Sequence, residues 1–368
     1  MTMPADQCDP ASPERLASLT IADPVFIDLL EGAGISLIAS LRPGHIACFG
    51  ASGGRLIASF TPMRNPLGLA TDGSRLAIGT RRQIVVYTSS TRLASRMPGQ
   101  QGRHDAVFVP VASFRTGECM VHDMALDGTS VVFANTQFSC LSRADGFKNF
   151  VPLWQPPFIS ALLPEDRCHL NSFAMDGRRI RYATAFAPSD AAGGHRNMPS
   201  NSGIIIDVEA NAVVATGLLK PHSVRVFDGE LYVLNSAAGE VMRIDLAARD
   251  GQTLARLPGF TRGLRAHGDV LFVGLSTLRA TAKALDLPLM NRTNSLMAGI
   301  AALDRRTGEV LGMLRLPAEM EEVFDFVIVP GIRQALVMNP EVETSHIGIE
   351  TTVSSYWMTA VGEPATPA

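Results

Sequence analysis

Three of the eight histidines in the chain, His122, His169 and His222, stand at equivalent places in a repeated pattern. Each lies six to eight residues before a turn glycine. Three imidazoles on one side of a metal ion, with other coordination positions open, suit Zn, Fe or Cu with an exchangeable water. The pattern therefore predicts a divalent transition-metal site with these histidines as ligands, completed by Glu322 at the same kind of place in a later repeat.

The same histidines admit two other interpretations. A histidine at the start of a strand can line a channel that binds a polar ligand, or it can hydrogen-bond to neighbouring loops. No short metal-binding motif such as H-E-x-x-H occurs, so the metal hypothesis rests on the register of the repeat. Channel lining and structural hydrogen bonding stay open as alternatives.

Ionisable side chains cluster around His169. Glu165, Asp166 and Arg167 precede it, and Asn171 follows it. A carboxylate in such a cluster can act as a general acid or base, or it can orient a ligating imidazole. We therefore predict that Glu165 or Asp166 is the catalytic base. The alternative is a surface ion pair between Arg167 and one of these carboxylates.

Substrate-binding roles are predicted for polar residues that the repeat or its long loops place at the same mouth. These residues are Asn65, Asn171, His195, Arg196 and Arg262. An arginine in a partly enclosed channel favours a carboxylate or phosphate group on the ligand. The alternative role of Arg262 is to bridge repeats through backbone carbonyl groups. Two long loops, 188–202 and 276–295, are expected to form a rim or lid over the mouth.

The elements that must position these residues recur along the chain. Turn glycines, four of them preceded by Asp, stand 39 to 63 residues apart and are flanked by short apolar runs. The six glycines are Gly73, Gly128, Gly177, Gly229, Gly268 and Gly331. Apolar runs joined by an Asp-Gly step are typical of β-hairpins, and repeats of this length without a helical period are typical of β-propellers. The sequence predicts an all-β, six-bladed β-propeller.

The two ends of the repeat region are expected to meet in one blade. Strand-like runs at 45–49 and 55–60 precede the first complete hairpin, and the last hairpin, near Gly331, has no clear outer strands. Joining them removes an exposed sheet edge. A further run at 35–40 leaves a seven-bladed ring as the alternative. We predict one propeller domain over 33–360, an N-terminal arm with a short helix over 1–32, and a tail over 361–368.

The composition excludes several classes of protein. With 368 residues, of which 46% are hydrophobic and 18% charged, the chain can bury a large core and is not intrinsically disordered. The 32 Lys and Arg residues nearly balance the 35 Asp and Glu residues, which gives a net charge of −3. Nucleic-acid-binding proteins carry a concentrated basic excess, so we expect no nucleic acid partner.

Targeting and nucleotide-binding signals are missing from the sequence. No uncharged apolar run reaches the ~18 residues of a membrane span, and the first residues are polar, which predicts a cytoplasmic protein without a membrane partner. No Gly-rich nucleotide-binding motif occurs, which predicts that no nucleotide cofactor is bound. Five cysteines without a C-x-x-C pair predict free thiols rather than disulfides or a thiolate zinc site.

Several segments in fixed order resemble an uncharacterised bacterial domain family of unknown function that is expected to be propeller-like. The similar segments are 135–140, 156–171, 220–223, 257–264 and 272–276. They include Pro-Pro-Phe-Ile-Ser-Ala-Leu from 156 and Leu-Pro-Gly-Phe-Thr-Arg-Gly-Leu from 257. The resemblance extends over about residues 33–333. It implies the propeller fold and implies no activity.

Together these patterns predict a metal-dependent enzyme that acts on a small polar or anionic metabolite at the mouth of the propeller channel. A metal held by the three histidines would activate a water or polarise a carbonyl group, so hydrolysis, lyase chemistry and oxygen chemistry all stay open. The alternative is a non-catalytic propeller that binds a small ligand or a peptide, because a fold does not determine a function. The sequence makes no prediction of the oligomeric state.

Overall fold

Tight turns between short apolar runs fold the chain into six sheets that surround a central channel. The computed structural model describes residues 12–248, 250–277, 287–292 and 295–358. The innermost strand of each sheet contacts the innermost strands of the two neighbouring sheets, which closes the ring. The protein is therefore a six-bladed β-propeller, as the repeat predicts.

Each of blades 1 to 3 is built from an innermost strand outward. Blade 1 comprises Glu322–Pro330, Ile35–Arg42, His45–Ser52 and Arg55–Pro62. Blade 2 comprises Leu69–Thr71, Arg75–Gly79, Ile84–Ser90, Ala106–Phe114 and Ala335–Val337. Blade 3 comprises Val121–Asp127, Ser130–Asn135, Cys140–Arg143 and Val151–Trp154.

Blades 4 to 6 continue around the ring with the same inner-to-outer order of strands. Blade 4 comprises Leu170–Asp176, Arg179–Ala185, Gly203–Asp207 and Ala212–Leu218. Blade 5 comprises Pro221–Phe227, Glu230–Asn235, Glu240–Asp245 and Asp250–Arg256. Blade 6 comprises Phe260–His267, Val270–Ser276, Gly299–Asp304, Val310–Arg315 and Ile21–Ala22.

Short helices and one small hairpin complete the described chain. The α-helices are Pro13–Leu19, Pro24–Ala33 and Thr91–Ser95, and the 3₁₀ helices are Gly194–Asn197, Ser236–Ala238, Pro288–Asn291 and Glu343–His346. The hairpin pairs Gly348–Glu350 with Ser355–Trp357. None of the helices in this part of the chain has the length and apolar character needed to span a bilayer.

Five of the six predicted hairpins are confirmed. The turns at Gly73, Gly128, Gly177, Gly229 and Gly268 join the first and second strands of blades 2 to 6, and these glycines have φ angles between 56° and 90°. Such positive angles are what two-residue hairpin turns demand, and glycine adopts them without steric cost.

The sixth predicted hairpin, at Gly331, is wrong. Ala335–Val337 pairs in parallel with Ala106–Phe114 at the outer edge of blade 2. The reason is that Glu322–Pro330 already pairs with Ile35–Arg42 along its whole length, and its other edge faces the channel. Blade 1 is thus closed by strands from both ends of the propeller, as predicted. The run at 35–40 belongs to this blade, so the described residues form no seventh blade.

The segment before the propeller packs against its outer surface. Helix Pro13–Leu19 contacts the outer strand of blade 1, and helix Pro24–Ala33 contacts blades 1 and 6. Their side chains Leu16, Phe26 and Leu30 are fully buried. The short helix predicted around 24–30 is present, and residues 13–19 of the predicted arm are also helical. The predicted tail, 361–368, lies outside the described residues.

Side-chain acceptors on the inner strands tie neighbouring blades together inside the channel. Each accepts a backbone N–H from the inner strand of the next blade at 3.0 or 3.1 Å. The acceptors are Asp123 in blade 3, Ser172 in blade 4, Ser223 in blade 5 and Asp325 in blade 1. Their bonds satisfy backbone donors that would otherwise be buried without a partner.

Two arginines neutralise the buried carboxylates across the channel. Arg225 of blade 5 donates to both carboxylate oxygens of Asp123, at 2.7 and 2.8 Å, and Arg265 of blade 6 donates to Asp325 at 3.2 Å. No side chain of the four is more than 17% exposed. Removing one partner of such a buried pair leaves an uncompensated charge, so each pair depends strongly on both of its members.

We expect Arg225→Met to lower the free energy of unfolding by about 3 kcal/mol or more, because it leaves the Asp123 carboxylate buried without its cation. Urea denaturation measures the change. Arg15→Met is the control, since its ion pair with Glu319 is at the surface, with side chains 62% and 38% exposed, and such pairs contribute ~1 kcal/mol or less. Equal losses in the two variants would contradict a stabilising role for the channel pair.

Candidate functional site

One mouth of the channel opens into a cavity of about 600 Å³, a volume typical of small-molecule sites. Loops and strand ends from all six blades contribute to its wall. Eight of the eleven residues predicted for the site line it, namely Asn65, His122, Asp166, His169, Arg196, His222, Arg262 and Glu322. The structure thus brings these residues together at one mouth, while their individual roles stay predictions.

His122 is held by its Nδ1 atom. Nδ1 lies 3.0 Å from the carbonyl oxygen of Met120 and 2.8 Å from the hydroxyl of Thr136. The Thr136 hydroxyl donates its own proton to the carbonyl oxygen of Leu170 at 2.6 Å. Both neighbours of Nδ1 therefore act as acceptors, so Nδ1 carries the proton and Nε2 is left as an acceptor.

His222 repeats this arrangement two blades later. Its Nδ1 lies 3.0 Å from the carbonyl oxygen of Lys220 and 2.9 Å from the hydroxyl of Ser236. Lys220 and Met120, each two residues before its histidine, adopt the left-handed backbone conformation with φ angles of 50° and 51°. Such strain in non-glycine residues is uncommon and clusters at functional sites.

Asp166 organises a second group at the cavity wall. Its carboxylate oxygens lie 3.0 and 3.2 Å from Nδ1 of His169, and Oδ2 lies 2.9 Å from Nη2 of Arg196. The backbone carbonyl oxygen of Asp166 accepts a hydrogen bond from Nδ1 of His195 at 2.9 Å. Nε2 of His195 is then the unprotonated nitrogen, and it lies 3.7 Å from Oδ2 of Asp166.

The ligand atoms of Asp166, His169 and His195 all lie within 4.8 Å of one another, close enough to share one metal ion. In the described part of the chain this is the one group that meets that distance. The predicted set of His122, His169 and His222 does not meet it, although the ring centres of His122 and His169 are 5.0 Å apart. His169 is common to both sets.

Burial keeps the histidines of the site neutral. It lowers the pKa of His122 and His222 well below the ordinary value, lowers that of His169 to about 3, and lowers that of His195. Burial also raises the pKa of Asp166 to about 6, against the opposing effect of its positive neighbours. Neutral imidazole is the form that binds a metal or accepts a proton.

Arg262 and Glu322, predicted to bind an anion and a metal, form an ion pair with each other. Nη1 of Arg262 donates to Oε1 of Glu322, and the guanidinium carbon lies 3.8 Å from the ring centre of Phe324. The second oxygen of Glu322 is 3.7 Å from Nε of Arg42. Both residues line the cavity, but each already has a charged partner there.

Three predicted residues are not in the cavity wall. Asn171 is buried and ties blade 4 to blade 5 by donating to the carbonyl oxygen of Pro221 at 2.9 Å. Glu165 accepts from Nε of Arg167 at 2.8 Å, which is the ion pair that the sequence offers as the alternative to a catalytic role. His195 reaches the site through its contact with Asp166.

The long loops also reach the mouth. The 188–202 loop contains the 3₁₀ helix Gly194–Asn197, which places His195 and Arg196 against Asp166. The described part of the 276–295 loop contributes to the cavity wall, whereas residues 278–286, 293 and 294 of that loop lie outside the described residues.

Some residues of the site are not among those predicted from the sequence. Lys220 and Phe186 line the cavity, and Phe186 packs on His169 with ring centres 4.3 Å apart. A weak signal existed for Lys220, which immediately precedes the strand that begins Pro221-His222. A clearer signal existed for the two hydroxyls, because Thr136 and Ser236 each stand fourteen residues after a channel histidine.

Comparison with known families assigns the chain. Residues 24–338 match a domain of unknown function, DUF4915. The chain belongs to the DUF4915 family. This confirms the resemblance to an uncharacterised propeller-like family that the ordered segments indicate. A comparison of this DUF4915 chain with curated protein sequences gives no significant match.

Solved structures share the fold of the DUF4915 chain at low sequence identity. A chain in the crystal structure of a nidogen/laminin complex aligns with a TM-score of 0.52 and 13% identity, over 81% of this chain and 99% of that one. A protein of unknown function from Bacteroides caccae aligns with a TM-score of 0.49 and 10% identity, over 82% of this chain and 99% of that one. The likeness to the first extends to the fold alone.

We expect His122 and His222 of the metal-free protein to carry their proton on Nδ1 at neutral pH. His104 is the control, because its Nε2 lies 3.1 Å from the amide oxygen of Gln100 and must donate to it. Nitrogen-15 NMR of histidine-labelled protein distinguishes the two tautomers. Thr136→Val removes one acceptor and should shift the signals of His122 while those of His222 stay in place. A single common tautomer at all three histidines would contradict this hydrogen-bond pattern.

Proposed function

We propose that the cavity is the active site of a metal-dependent enzyme that acts on a small polar or anionic metabolite. The observation that carries the proposal is the convergence of Asp166, His169 and His195, whose ligand atoms lie within 4.8 Å of one another. Two imidazoles and one carboxylate form the donor set of many catalytic zinc sites and of non-haem iron sites. This set leaves coordination positions open for water and substrate.

The surroundings of the group support this proposal. Burial holds His169 and His195 in the neutral form that coordinates a metal. Arg196 binds one oxygen of Asp166 and so fixes the orientation of the carboxylate. A divalent ion bound here would lower the pKa of a water ligand or polarise a substrate carbonyl.

His122 and His222 have a different role in this proposal. Because Nδ1 of each is held as a donor by a carbonyl oxygen, Nε2 is available in the cavity as an acceptor. Each imidazole can therefore orient a hydroxyl or a water of the substrate and accept its proton. The substrate is a small molecule because the cavity measures about 600 Å³, and we expect it to be encountered in the cytoplasm without a nucleic acid or membrane partner.

One observation favours a second function, non-catalytic ligand binding. Without a metal, the Asp166 carboxylate is already hydrogen-bonded to both His169 and Arg196, at 2.9 to 3.2 Å. In that case the group is a hydrogen-bonded frame that shapes a binding cavity. Metal content separates the two functions.

Elemental mass spectrometry of the purified, tag-free protein is the test. We expect a stoichiometric amount of Zn or Fe, since the donor set suits these ions. Asp166→Asn and His195→Gln should each lower the metal content at least ~10-fold, because each removes or weakens one of three ligands. His222→Gln is the matched control, because it changes a cavity histidine outside the group and should leave the metal bound.

The outcomes assign the ligands directly. Metal that is lost in the His222 variant and retained in the His195 variant would replace the proposed group by the three-histidine set of the repeat. Protein that holds no metal after loading with Zn, Fe, Mn or Cu would overturn the metal-dependent mechanism and favour the binding function. Melting temperatures of the variants confirm that each one is folded.

A further inference from the structure

Lys220 lines the cavity and forms no ion pair with any residue that the structure describes. The other cations of the wall each have a carboxylate close by. Those pairs are Arg81 with Glu118 at 2.5 Å, Arg196 with Asp166 at 2.9 Å, Arg42 with Glu322 at 3.7 Å, and Arg262 with Glu322. Lys220 is therefore the cation of this wall that is best placed to receive a negative charge from a ligand.

The charge balance of the wall points the same way. Five cationic side chains and three carboxylates line the cavity, so two positive charges are in excess while the histidines are neutral. Partial burial lowers the pKa of Lys220, because the protonated amine has lost part of its hydration. An anion beside the amine would restore favourable interactions with the charged form.

Aromatic rings supply the rest of the binding surface next to Lys220. Its Nζ atom lies 5.7 Å from the ring centre of Phe186. Phe260 and Phe324 also line the cavity. Each of these three rings packs against a different channel histidine, with ring centres 4.3 to 5.5 Å apart. Such a wall favours a flat apolar group, which can stack on the rings or meet their edges.

We propose that the ligand of this cavity is a carboxylate attached to an aromatic ring, with its carboxylate at Lys220 and its ring against Phe186. The inference rests on the proposed function in placing the substrate in this cavity, and it deepens that function by naming the substrate class. A carboxylate fits better than a phosphate. The guanidinium groups that bind phosphate through paired hydrogen bonds are engaged with carboxylates here, whereas Lys220 offers a single compact charge.

Isothermal titration calorimetry with benzoate tests the proposal, with acetate, phosphate and benzyl alcohol as comparison ligands. We expect benzoate to bind more tightly than all three. Lys220→Gln and Lys220→Met should each weaken benzoate binding roughly 10- to 100-fold, the effect of losing one charge-assisted hydrogen bond, and Lys220→Arg should retain most of it. Arg81→Gln is the matched control, because it removes a cation of the same wall that is paired with Glu118, and it should leave the affinity unchanged.

Phe186→Leu separates the two halves of the ligand. It should weaken the binding of benzoate and leave the binding of acetate unchanged, because acetate has no ring to pack. Phosphate or acetate that binds as tightly as benzoate would overturn the proposal, and so would benzoate binding that both neutral Lys220 variants retain. The two variants differ in polarity, so a folding defect in one does not remove the test.

Titrations of metal-stripped and metal-loaded protein keep this inference apart from the proposed function. Lys220-dependent benzoate binding by a protein that never takes up metal would overturn the metal-dependent mechanism and sustain the present inference. Metal bound by Asp166 and His195, with no benzoate binding in either form, would have the opposite meaning.

Discussion

The ring of blades depends on acceptors that reach from one inner strand to the next. An inner strand is paired on one edge within its own blade, and its other edge faces the channel, where backbone N–H groups would be buried without partners. Asp123, Ser172, Ser223 and Asp325 satisfy such groups across four of the six boundaries between blades. Because two of these acceptors are charged, the channel also needs Arg225 and Arg265. The axis of the propeller is therefore a polar layer, and the apolar clusters lie between and around the blades.

This polar layer also determines where the site is built. The residue before Asp123 is His122, the residue before Ser223 is His222, and the residue before Asp325 is Phe324. Neighbouring residues on a strand point in opposite directions, so one side chain ties the blade to the next while its neighbour serves the cavity. The same register of the inner strands supports both the ring and the site. The left-handed residues two positions before the histidines complete this arrangement by turning a carbonyl oxygen towards each imidazole.

The features that the sequence predicts are those that arise from local patterns repeated along the chain. Asp-Gly turns and apolar alternation are local, so the hairpins of five blades and the meeting of His122, His169 and His222 at one mouth follow from them. The hairpin at Gly331 fails because the partner of its first strand comes from the other end of the chain. No local signal indicates that pairing. The same limit applies to the ligand group, since the position of His195 depends on how the 188–202 loop folds onto Asp166. The ion pair of Arg262 with Glu322 likewise joins residues sixty positions apart.

The strand Glu322–Pro330 has a consequence for how this protein is made. It is the last inner strand to be synthesised, and it brings Glu322 and Phe324 to the cavity and Asp325 to the polar layer. A nascent chain on the ribosome therefore has five hairpins but no finished cavity until this strand emerges and pairs with Ile35–Arg42. A prematurely terminated product lacks a wall of the site and exposes the edge of blade 1, which marks it for chaperones and proteases rather than leaving a partly active protein in circulation.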